Sequence, residues 1–157
     1  MGFFIGCGVV LKQGDKYVLI EEVRGAKAGL YNMPAGTLEL DEDFVECIMR
    51  EAKEETGADI VLEHFLGIYQ TVIGTGSNVV FVIFSGSVAL DATFQSDEHS
   101  VITALSYDEV MALERKNLLR APTIIKAIND ERRGHTYPLE VVQSWHLASL
   151  NSITVEK

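Results

Sequence analysis

A chain of 157 residues, 47% hydrophobic and 23% charged, has the composition of a soluble globular protein and is long enough to bury one core. Its formal net charge of −10 argues against a nucleic-acid duplex as partner, because binding along a phosphate backbone needs positive charge. A small phosphorylated molecule stays compatible with it, since recruited metal cations change the local sign.

In chain order, "MGFFIGCGVVLK" has an apolar run without a basic leader, and reads as a first core strand over Phe3–Leu11 in place of a signal peptide. Gly14-Asp15 is a hairpin turn signal, and Tyr17–Val23 reads as the second strand. "RGAKAGLYN" (Arg24–Asn32) is a small-residue loop bearing Arg24 and Lys27, after which Pro34, Ala35 and Gly36 predict a turn. Asp43 followed by Glu46 fits a capping box, placing a helix over Phe44–Thr56 with Gly57 as its C-terminal cap. Ile60–Val72 and Asn78–Val88 are rich in β-branched and aromatic residues and read as strands joined by a turn at Gly74–Ser77. Ser106 with Glu109 caps a short helix, and Pro122 opens another that ends near Gly134.

This order predicts an α+β fold with a mixed sheet, in one domain spanning 1–157. No apolar run approaches the ~20 residues of a membrane span, so no membrane partner is expected. Cys7 and Cys47 have neither a disulfide framework nor metal-site spacing and read as buried reduced thiols, hence a cytoplasmic protein. His64, His99, His135 and His146 are scattered without ligand spacing.

The end of the first helix, "EAKEETG" (Glu51–Gly57), poses the functional question. At ~100° per residue, Phe44, Val45, Ile48, Met49 and Ala52 share an apolar arc, and Glu51 and Glu55 fall within ~20° of Phe44. Glu51, Glu54 and Glu55 thus repel one another at helical spacing and oppose the macrodipole. Two of them also point toward the protein, where unpaired carboxylates are expensive. Arg50 and Lys53 cannot neutralise the cluster. A solvated acidic face is the bland explanation; a hard divalent cation held by oxygen ligands resolves all three costs at once.

The segment Gly36–Ala58, "GTLELDEDFVECIMREAKEETGA", carries Gly36, Glu42, Arg50-Glu51, Glu54-Glu55 and Gly57 at the spacing of the Nudix box, and the chain is identified as a member of the Nudix hydrolase family by this resemblance. The resemblance implies the Nudix fold, a mixed sheet between helices, and Mg2+- or Mn2+-dependent hydrolysis of a diphosphate linked to another moiety. It implies metal ligation by Glu51, Glu54, Glu55 and the Gly36 carbonyl, and pairing of Arg50 with Glu51 and with a structural Glu42. The implied base is Glu54 or Glu51, with Glu98 in a later loop as the alternative. For Arg24 and Lys27 two readings stand side by side, contacts to substrate phosphates and solvated loop cations.

"YNMPAGTLEL" and "LLRAPTIIKAINDERRGHTYPLEVV" resemble segments of NudJ-type Nudix phosphatases, with Thr37 replacing a typical His and Ala104 a typical Trp. A NudJ-like phosphatase acting on a nucleoside di- or triphosphate or a related organic pyrophosphate is therefore expected. The alternatives are a nucleoside-triphosphate pyrophosphatase, a nucleotide-sugar or ADP-ribose hydrolase, or a ligand-sensing module without catalysis. A homodimer, common in the family, is a further expected partner. Arg120 and the His135–Pro138 segment read as packing around the last helix, with a substrate or dimer contact as the other reading.

Overall fold

The computed structural model describes residues 2–73, 76–97 and 99–145. Among the described residues, seven strands and three helices form an α+β fold: β1 (Gly2–Gln13), β2 (Lys16–Glu22), β3 (Tyr31–Asn32), β4 (Ala35–Thr37), α1 (Phe44–Thr56), β5 (Val61–Ile73), β6 (Ser77–Val88), β7 (Ser100–Leu105), α2 (Tyr107–Arg115) and α3 (Pro122–Arg132), then a short 3-10 turn at Leu139–Val141. The strand order is β3-β2-β1-β6-β5, with β4 added to β1 and β7 to β2. β1 and β6 run parallel while the other pairs are antiparallel, so the sheet is mixed.

Side chains alternate across a strand, and here both faces of the central strands are covered. Cys7, Val9 and Leu11 of β1 and Val18 of β2 pack with Cys47, Ile48 and Ala52 of α1. On the opposite face Val10, Tyr17 and Leu19 meet Val110 of α2 and Ile124, Ala127 and Ile128 of α3. Burial on both faces explains why β1 and β2 read as nearly continuous apolar runs.

The expected helix over Phe44–Thr56 is present with those bounds, and the expected strands differ from the observed ones by a residue or two at their ends. Three expectations need correction. The loop expected over Arg24–Asn32 ends in strand β3, whose Tyr31 and Asn32 pair with Glu21 and Ile20 of β2. Ala35 and Gly36 do not form a turn: with Thr37 they make strand β4, paired with Gly6, Cys7 and Gly8, while the Pro34 carbonyl accepts the Val9 N–H at 3.0 Å. A proline is tolerated there because it precedes the strand and supplies only its carbonyl. The buried stripe of α1 is also rotated, to Cys47, Ile48, Ala52 and Thr56, leaving Val45 and Met49 exposed. Gly74 and Thr75 of the expected β5–β6 turn lie outside the described residues.

Candidate active site

The site is built where α1 crosses β4. Asp43 caps α1, its Oδ1 accepting the N–H groups of Val45 and Glu46 at 2.9 Å each while Glu46 accepts the Asp43 N–H at 2.8 Å. At the other end Gly57 adopts φ 71° and its N–H donates to the Lys53 carbonyl at 2.9 Å, a left-handed cap that glycine reaches without strain. Thr56 is buried, donating to the Ala52 carbonyl at 2.6 Å and accepting from Ala58 N–H at 3.2 Å. Both helix ends are thus fixed, and with them the directions of the glutamates between.

Arg50 organises one side of the cluster. Its Nε and Nη2 donate to the two oxygens of Glu42 at 3.0 and 2.7 Å, and its Nη1 donates to Glu51 at 2.9 Å and Glu54 at 3.3 Å. Nη2 also reaches the Thr37 carbonyl at 3.1 Å, tying α1 to β4. The two-pronged bond to Glu42 is the strong geometry for a guanidinium and a carboxylate. It holds the Glu42 carboxyl down at about 2, where burial alone would raise it.

Glu51 lies directly against Gly36, so closely that a β-carbon on Gly36 would overlap its carboxylate. Glu55 accepts the N–H of Ala35, the residue before, at 2.9 Å. Burial pushes Glu55 up to about 7; the Ala35 N–H opposes this, the Glu51 and Glu22 charges add to it, and Arg120 opposes it. Glu54 is different, with 61% of its side chain exposed, at the rim.

Gly36, Glu51 and Glu55 are therefore brought together, with Glu54 joined through Arg50. Among the described residues no three His, Cys, Asp or Glu side chains form a ready-made metal cluster; the glutamates are turned to Arg50 and the β4 backbone instead. Arg24 and Lys27 are exposed between β2 and β3. Glu98 lies outside the described residues, as does His146. Two charged groups that act on Glu55 carry no sequence signal linking them to it: Glu22, an ordinary strand-end carboxylate, and Arg120, distant along the chain, which pair with each other at 3.6 Å. A cavity of about 390 Å³ between Asp41–Phe44 and Gln143–Trp145 lies at the N-terminal end of α1, whereas Glu55 stands in its last turn.

The comparisons with known proteins bear on this arrangement. A family model described as the NUDIX domain matches residues 3–127. The protein named phosphatase NudJ from Escherichia coli (strain K12) is 31% identical over 134 residues, covering 85% of this chain and 86% of the relative. Among solved structures, a NUDIX hydrolase from Nitrosomonas europaea is 33% identical with a TM-score of 0.78, over 90% of this chain and 97% of that one. A MutT protein from Methanosarcina mazei Go1, at 20% identity and a TM-score of 0.68 over 84% of this chain and 95% of that one, shares the fold.

Proposed function

Because this chain belongs to the NUDIX domain family, a family of hydrolases, we propose that it is a Mg2+-dependent enzyme cleaving the pyrophosphate linkage of a nucleoside di- or triphosphate or a related organic pyrophosphate. Mn2+ is the second candidate ion, and residues 1–157 act as a single catalytic domain. The observation that carries this reading is the convergence of two partly buried, inward-facing carboxylates, Glu51 and Glu55, on the Ala35-Gly36 backbone.

The residues fit a hard divalent cation by their chemistry. The Gly36 carbonyl and the carboxylates of Glu51, Glu54 and Glu55 are all oxygen donors, and the missing side chain at Gly36 is what admits Glu51. When bound, the ion neutralises charge on the phosphoryl oxygens. The chain's own residues do the rest. Arg50 orients Glu51 and restrains Glu54, and the Ala35 N–H fixes Glu55.

Glu54 is placed at the exposed rim, where a water can approach, and takes the proton as that water attacks phosphorus and the bridging P–O bond breaks. Glu51 and Glu98 are the other proposed bases. Arg24 and Lys27, exposed in the loop after β2, are proposed to meet the substrate's outer charges. The NudJ resemblance supports a phosphatase mode, with orthophosphate among the products. Two buried free thiols, Cys7 and Cys47, support a cytoplasmic setting.

The test is a Mg2+ assay over nucleoside di- and triphosphates, thiamine-type pyrophosphates and ADP-ribose, with products identified. Glu54→Gln and Glu55→Gln should each lose at least ~100-fold in turnover while keeping the wild-type circular dichroism spectrum. Full turnover in both, or in excess EDTA, would sink the reading.

A further inference from the structure

A phosphate-rich substrate approaching Glu51, Glu54 and Glu55 meets negative charge, to which Glu22 adds at Glu55, so protein cations near the site carry weight. Arg50 is committed: Glu42, Glu51, Glu54 and the Thr37 carbonyl share its guanidinium. Arg120 is placed differently. It comes from the segment between α2 and α3, and its backbone is clamped at the edge of the site. The Arg120 N–H donates to the Tyr31 carbonyl at 2.9 Å and the Tyr31 N–H to the Leu118 carbonyl at 2.8 Å, bridging this segment to β3. From β3 the chain runs through Met33 and Pro34 into Ala35, whose N–H holds Glu55.

The Arg120 side chain meets Glu22 Oε1 at 3.6 Å, with 36% and 29% of the two side chains exposed. That is an ion contact too long for a hydrogen bond, and a half-exposed pair of this kind adds little stability. Nor is Arg120 needed to start α3, because Pro122 opens the helix and Ala121 stands at its cap without a side-chain bond. The Tyr31 clamp ties the Arg120 backbone to the strand that leads into Ala35, the partner of Glu55, and the Arg120 charge opposes the upward shift of Glu55 while that of Glu22 adds to it. A planar guanidinium with parallel donors matches phosphoryl oxygens better than a single carboxylate oxygen at 3.6 Å.

From this placement we infer that Arg120 is a phosphate-binding residue of the site, whose guanidinium exchanges Glu22 for the phosphoryl oxygens of an organic di- or triphosphate. Glu22 is the internal competitor that keeps the guanidinium aimed until substrate arrives. The inference rests on the proposed hydrolase reading for its physiological ligand, but its test does not depend on turnover.

The probe is inorganic tripolyphosphate in the presence of Mg2+, its binding measured by calorimetry on the full chain. Arg120→Ala should weaken binding about 10-fold or more, the loss of a charge-assisted pair, with Arg120→Lys intermediate and thermal midpoints near wild type. Glu22→Gln should tighten binding about 3-fold, and in the Arg120→Ala background that gain should vanish. Equal affinity in Arg120→Ala, a tightening by Glu22→Gln that persists without Arg120, or a wild type that binds no tripolyphosphate overturns the inference. Binding that depends on Arg120 in a protein that hydrolyses nothing on the substrate panel supports the phosphate site and removes only the hydrolase reading.

Discussion

Gly36 and Gly6 allow three layers to meet in the space of two. A β-carbon at Gly36 would overlap the Glu51 carboxylate, and one at Gly6 would run into the Gly36 carbonyl oxygen and come within 2.9 Å of the Phe81 ring. Gly36→Ala should therefore displace Glu51 and, if Glu51 holds the proposed cation, reduce kcat/KM by about 10–100-fold, the usual cost of disturbing a metal ligand's support. Gly6→Ala should lower both the thermal midpoint and turnover, because it pushes the Gly36 carbonyl itself. Gly2→Ala in the same strand is the control, since among the described residues its β-carbon would meet only Ser77 Oγ, at 3.8 Å; equal behaviour of the two variants would refute the close-approach argument. Glu42 supplies a pH signature. Arg50 holds its folded-state pKa at about 2, below the ordinary 4.5, so its stabilisation is complete above pH ~4.5 and fades as pH falls toward 2. Urea titrations should show wild type more stable than Glu42→Gln at pH 7, with the gap closing below pH ~3. A gap independent of pH would mean that Glu42 acts by packing, not by charge.

At the scale of the element, α1 is held by its caps as much as by its buried stripe. Asp43 uses one oxygen for the helix N-terminus and the other to accept Ser144 Oγ–H at 2.7 Å. Asp43→Ala should cost about 1 kcal/mol in chemical denaturation. Turnover per folded molecule should stay near wild type, because the glutamates stand at the far end of the helix; a large kcat loss would show that the cap transmits to the site. The same helix shows why parts of the protein were legible in sequence. Its bounds, caps and inward glutamates follow from local spacing, and the structure keeps them. The failures are at long-range contacts. Pro34-Ala35-Gly36 has turn chemistry, and only the glycine-rich face of β1, at Gly6 and Gly8, converts it into a paired strand. Val45 and Met49 fit the apolar arc, but the sheet lies on the Cys47–Thr56 side of it. Arg120 carries no local mark of its position, which is set by the Tyr31 bridge.

For the whole molecule the question is whether α1, which carries Arg50, Glu51, Glu54 and Glu55, can loosen without loss of the fold. Cys7 and Cys47 answer it, one in the central strand β1 and one in α1, both fully buried in the same cluster. Burial raises both thiols, Cys47 to about 11 and Cys7 further, with Cys47 itself adding to the rise at Cys7. Neither offers a thiolate to reagents at pH 8, so labelling must proceed through opening of the structure. α1 seals one face of β1 while α2 and α3 seal the other face of the same sheet. Lifting α1 would expose the side of β1 that carries Cys7, so one cooperative unit is expected. Mass spectrometry should then find Cys7 and Cys47 labelled at equal rates, each with the urea dependence of global unfolding. Faster labelling of Cys47 with a shallow urea dependence would reveal local opening of α1. The glutamate cluster would then be lost at denaturant concentrations where the sheet persists, and turnover would fall before the fold does.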